Sequence, residues 1–188
     1  MQYPVSCRLT LKGEEDTMEI ATKCIHEIGA ADATSACLGA LDAWLVIRGI
    51  KTLPLRMEQH QKNAFAIAKW LQKQLRVQYV LYPGLENHPG YVINKAQTTG
   101  FGSMISFAVD NAETARQILE GIKLIKFAES LGGTESLITY PIRQTHTDLT
   151  AEECAENGIT YCLLRFSTGI EATQDLIDDL AQAFAVIE

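Results

Sequence analysis

The chain holds 188 residues, 47% of them hydrophobic, with a formal net charge of −7; that length encloses a sizeable core and is most simply one domain. The acidic balance excludes a nucleic-acid binder, which needs clustered Lys and Arg to neutralise phosphates, and a protein held at an anionic membrane surface. Small molecules or other protein surfaces remain as partners.

The opening "MQYPVSCRLTLKGEED" has no long apolar segment behind a basic start, and no later run approaches a membrane span, so a soluble, cytoplasmic protein is expected. Cys7, Cys24, Cys37, Cys154 and Cys162 are odd in number and lack Cys-x-x-Cys spacing, which predicts buried reduced thiols rather than a disulfide framework or zinc site. Alternation predicts a strand over residues 5–11, and an acidic start followed by helical spacing predicts a helix over 14–28. Two further helices are predicted over 41–50 and 53–75, separated by Gly49 and Pro54. The period then changes. "VQYVLYPGL" and "SMISFAVD" read as strands, Asn111 caps a helix through Leu119, and "IKLIKFAES", "SLITYP" and "YCLLRFSTG" read as three more strands. Thr150, with Glu153 three residues on, opens a short helix through a capping box, and an amphipathic helix over 174–187 closes the chain. The fold class is therefore α/β, with a short, partly antiparallel sheet covered by helices.

Three places invite chemistry. Arg165 sits among Leu163, Leu164 and Phe166; it either faces solvent or a salt bridge, or it grips a carboxylate with its planar fork. In "SLGGTESLITYP", residues 130–141, Gly132 and Gly133 make a tight turn or admit a ligand close to the backbone, with Glu135 and Ser136 beside it. The stretch lacks the ending of a P-loop and the spacing of a dinucleotide fingerprint. His26, His60, His88 and His146 have no ligand spacing, so no metal site is expected and hydrogen-bonded surface or interface histidines are the simpler reading. Asp178 and Asp179 on the last helix are explained by a solvated face.

The succession "LDAWLVIRGIKTLPLRM", "YPGLENHPG", "GFGSMISF", "SLGGTESLITYP", "TH" and "GITYCLLRFSTGIEATQDLIDDLAQAF" resembles the C-terminal half of the Cys/Met-metabolism family of pyridoxal-phosphate enzymes. That family comprises the cystathionine γ-synthases, cystathionine β- and γ-lyases and methionine γ-lyases, and the resemblance runs from about Gly29 to the end. It implies the small C-terminal domain of a fold-type I enzyme. The implied layout is a strand-and-helix remnant over 1–37, linking helices over 38–76 with one long helix, and the small domain over 77–188.

The resemblance also assigns roles. Arg165 would bind the α-carboxylate of an amino-acid substrate, Ser136 would help position substrate, Glu135 would stand where the family varies its reaction preference, and Thr145 would form part of the wall. Arg165 is expected to point into the same cleft as the 130–141 loop, within reach of Ser136. The family's cofactor is held by a lysine and a preceding large domain that the matched stretches do not contain. "ATK" at residues 21–23 echoes the lysine segment, but it continues as "CIHEIGAAD" and lies too near Trp44 and Arg48 for the family's spacing, so Lys23 reads as a residue on an exposed helix face. No catalytic residue and no covalently held pyridoxal phosphate are expected on this chain.

Two functions follow. The chain is the C-terminal part of an enzyme of sulfur amino-acid metabolism, supplying substrate-carboxylate binding, or it is a catalytically inactive remnant acting as a binding module. A homo-oligomer or association with a missing large domain is expected in either case, since the domain junction would leave apolar surface uncovered.

Overall fold

A computed structural model describes residues 38–145 and 149–187. The strand and helix expected over 5–11 and 14–28, together with Lys23, His26 and His146, lie outside them. Where length alone suggested one unit, the chain divides into two compact ones, Met1–Pro54 and Leu55–Glu188. No helix among the described residues is long and apolar enough to cross a membrane.

In the first unit, α1 (Ala40–Ile50) carries no buried residue. Its Trp44 ring lies under the Arg48 guanidinium at 5.6 Å, one turn away on the same face. The unit boundary falls in the first turn of α2 (Leu53–Leu71), where Pro54 is tolerated because the missing N–H would have no intrahelical partner.

The second unit is built on a sheet of five strands among the described residues: β1 (Val77–Leu81), β2 (Met104–Val109), β3 (Lys126–Phe127), β4 (Leu137–Thr139) and β5 (Leu163–Ser167). Their order is β1-β2-β5-β4-β3. All pairings are antiparallel except that of β3 with β4. The stretch read as a long third strand keeps only two paired residues, because β3 is an edge and Ile125 just before it turns into the core. Between the strands lie α3 (Tyr91–Gln97), α4 (Ala112–Gly121), α5 (Pro141–Gln144) and α6 (Ala151–Glu156), and α7 (Thr173–Ala185) follows β5.

The local signals act as expected. Asn111 accepts from Thr114 N at 2.9 Å at the start of α4. Thr150 and Glu153 exchange both bonds of the capping box. α2 ends four residues earlier than its apolar spacing suggests, closing in a turn where Gln74 N donates to Leu71 O at 3.1 Å.

The sheet has two unlike faces, set by the two-residue period of its strands. Ile105, Phe107, Leu164, Phe166 and Ile138 point to one side, where Ile67 and Leu71 of α2, Ile118 of α4 and Leu176 and Leu180 of α7 complete the core. Each of these large side chains is essentially inaccessible, contributing about 1.5–3 kcal/mol. The other side carries Tyr79, Leu81, Met104, Ser106, Leu163, Arg165, Ser167 and Thr139. It is the less covered face, with Tyr79 and Leu81 exposed and Ser106 and Arg165 half-buried.

Candidate functional site

Strand parity places Arg165 on that second face, with Ser106 of β2 and Thr139 of β4 as its cross-strand partners. Its Nε is buried and makes no hydrogen bond among the described residues. An unmet buried donor costs about 1–3 kcal/mol, a cost that an acceptor brought by a ligand would offset. The Thr139 hydroxyl is occupied, donating to Ala128 O at 3.1 Å.

The 130–141 loop reaches the same face through its first half. Gly132 has φ +74, a conformation that a Cβ disfavours, and its N–H donates to Ser167 Oγ at 3.0 Å, two residues along β5 from Arg165. Glu135 is exposed at the loop rim, with Thr134 Oγ1 donating to its Oε2 at 3.4 Å. Thr145 lies half-buried just past α5, its hydroxyl donating to Pro141 O at 3.4 Å.

Ser136, buried just before β4, makes its side-chain hydrogen bonds with Glu171 and Gly169, and none among the described residues joins it to Arg165. Its N–H donates to Glu171 Oε1 at 2.6 Å and its hydroxyl to Glu171 Oε2 at 2.9 Å. The same hydroxyl accepts from Gly169 N at 2.8 Å. A second link runs from Ile170 N to Thr134 O at 2.9 Å. A Cβ on Gly169 would stand 2.6 Å from the Glu135 carbonyl carbon and closer still to Thr134 O, so glycine is required where the loop crosses the end of β5.

Helix α2 completes this zipper. Asn63, inaccessible to solvent, donates through Nδ2 to Gly169 O and Glu171 O, both at 2.9 Å, and accepts from Thr173 Oγ1 at 2.6 Å. One turn earlier His60 Nδ1 donates to Thr168 O at 2.5 Å. His60 is therefore a buried hydrogen-bonded residue rather than a surface one.

Sequence reasoning passed over Glu171 and Asn63. A signal for Asn63 existed: it falls on the inward stripe of α2 with His60, Ala64, Ile67, Ala68 and Leu71, where a buried amide needs partners. The solvated-face reading holds for Asp178, which is exposed and accepts from Gln174 Nε2 at 2.7 Å. It fails for Asp179, a buried carboxylate that accepts from the backbone of Lys123, Leu124 and Ile125 at 2.8, 3.0 and 2.9 Å.

Comparison with known proteins bears on these residues as a set. The sequence profile of the Cys/Met metabolism PLP-dependent enzymes matches residues 10–185. Cystathionine gamma-lyase of Bacillus subtilis is 47% identical over 152 residues, which cover 81% of this chain and 40% of that protein. L-methionine gamma-lyase of Fusobacterium nucleatum is 46% identical over 164 residues, 87% of this chain and 42% of that one. The crystal structure of cystathionine gamma synthase from Xanthomonas oryzae pv. oryzae, in complex with aminoacrylate and cysteine, superposes with a TM-score of 0.74 at 44% identity, over 77% of this chain and 38% of that one. The chain thus spans about 40% of the length of the curated relatives it matches. With a profile match across nearly its whole length, the chain belongs to the Cys/Met-metabolism family of pyridoxal-phosphate-dependent enzymes.

Proposed function

We propose that this chain works as the C-terminal part of a pyridoxal-phosphate enzyme of sulfur amino-acid metabolism, of the carbon–sulfur lyase or γ-synthase type, in which Arg165 takes the substrate's α-carboxylate. The observation that carries the reading is the buried, unpartnered Nε of Arg165 on the less covered face of the sheet. Neighbours on both flanking strands restrict the side chain, so a carboxylate docking there gains two charge-assisted hydrogen bonds at little entropic cost. Gly132 brings the loop backbone to the same face, and the reading assigns Glu135 and Thr145 to the rim of the site. Ser136 supports the loop from behind through Glu171. On this reading residues 77–188 are the small domain and residues 38–76 the linking helices.

Pyridoxal phosphate, the family's cofactor, supplies an electron sink joined to the substrate's amino nitrogen. Holding it covalently takes a lysine amine shielded from water, and every lysine among the described residues is exposed. The described residues thus offer no shielded lysine to hold the cofactor, and the role this reading gives them is to take the substrate's carboxylate.

The test is titration of L-cysteine into the chain, followed by NMR at the Gly132 and Ser167 amides. A saturable shift is expected in the wild type and its loss in Arg165→Lys, with the far-UV circular dichroism of the two chains the same. Equal shifts in the two chains, or none in either, would remove the reading.

A further inference from the structure

The hydroxyl groups around Arg165 differ in how far they are committed. Thr139 gives its proton to Ala128 O, Ser136 gives its proton to Glu171, and Ser167 Oγ accepts from the Gly132 amide. Ser106 contrasts with them. It is the β2 residue directly paired with Arg165, it is half-buried, and its hydroxyl enters no hydrogen bond among the described residues.

Residues directly opposite in an antiparallel pair hold their Cβ atoms about 4.5–5.5 Å apart on one face. The Ser106 hydroxyl therefore stands beside the arginine stem whose Nε lacks a partner. A carboxylate that takes two N–H bonds from a guanidinium keeps further lone pairs, and a hydroxyl is the donor suited to one of them.

We propose that Ser106 is a second carboxylate-binding residue, its hydroxyl donating to the anion held by Arg165. The inference rests on the carboxylate role of Arg165, and it assigns to β2 a part of the site that the 130–141 loop does not supply.

The experiment follows the Arg165 Nε–H resonance of the chain during titration with sodium acetate against sodium chloride of equal ionic strength. The wild type shifts saturably with acetate alone. Ser106→Ala weakens the apparent affinity about tenfold, the effect of losing one hydrogen bond to a charged group. Ser106→Thr and Ser106→Val, matched in shape and both good strand formers, guard against a folding defect: Thr binds within about threefold of wild type and Val about tenfold more weakly, by the same hydrogen-bond argument. Equal affinities for Thr and Val, with saturable binding in the wild type, overturn the role of Ser106 and leave Arg165 standing. Absence of any saturable response in the wild type overturns both.

Discussion

Replacing Glu171 by alanine removes the two bonds that Ser136 donates, at 2.6 Å from its amide and 2.9 Å from its hydroxyl, and leaves the one it accepts from Gly169 N. Hydrogen bonds to a charged acceptor contribute about 1.5–3 kcal/mol each. Glu171 is half-buried, so solvent screens part of that, whereas Ser136 is 0% exposed and its freed amide meets no water. The expected loss is about 2–4 kcal/mol, measured by urea unfolding with an unchanged m-value. Faster hydrogen exchange at the Ser136 amide should accompany it, because that amide loses its acceptor. If the two residues act together, Ser136→Ala and Glu171→Ala should be non-additive, with a coupling of about 1–2 kcal/mol. A loss below about 0.5 kcal/mol, the range of an ordinary surface substitution, or strict additivity would refute the view that this carboxylate locks the loop.

Asp179→Ala should cost about 3 kcal/mol in the same assay, because the Ile125 amide, 1% exposed, cannot turn to water when its acceptor goes. Asp178→Ala, one residue away on the exposed side, should stay within about 0.5 kcal/mol, and equal effects at the two positions would contradict the observed orientation of α7. Burial pushes the Tyr82 phenol from 10.0 up to about 12, its hydroxyl donating to Gly102 O at 3.0 Å. The unfolded chain releases this proton near the ordinary value while the folded chain retains it, so stability contributed here is complete below about pH 10 and lost as pH rises towards about 12. Tyr82→Phe should flatten that part of the stability–pH profile, and an unchanged alkaline slope would count against the assignment.

What the sequence by itself determined is what depends on neighbours along the chain. The Asn111 cap and the Thr150–Glu153 box are bonds between residues three apart, and the inward stripe of α2 and the alternation of β2 and β5 are periods of one element. Family membership was legible for another reason: several loop and strand stretches recur in a fixed order, so no single position had to decide it. The short helices α3 and α5 were not legible, since each is one or two turns after a proline or glycine and carries too little pattern of its own. Tertiary structure alone decided which polar residues are buried and what they hold. Glu171 meets Ser136 across 35 residues, Asp179 meets Ile125 across 54, and Asn63 meets Thr173 across 110. Parity could put Arg165 on the same side as Leu163 and Ser167, but which side the helices cover depends on how α2, α4 and α7 pack together. That packing leaves Arg165 beside Ser106 and Ser136 bonded to Glu171.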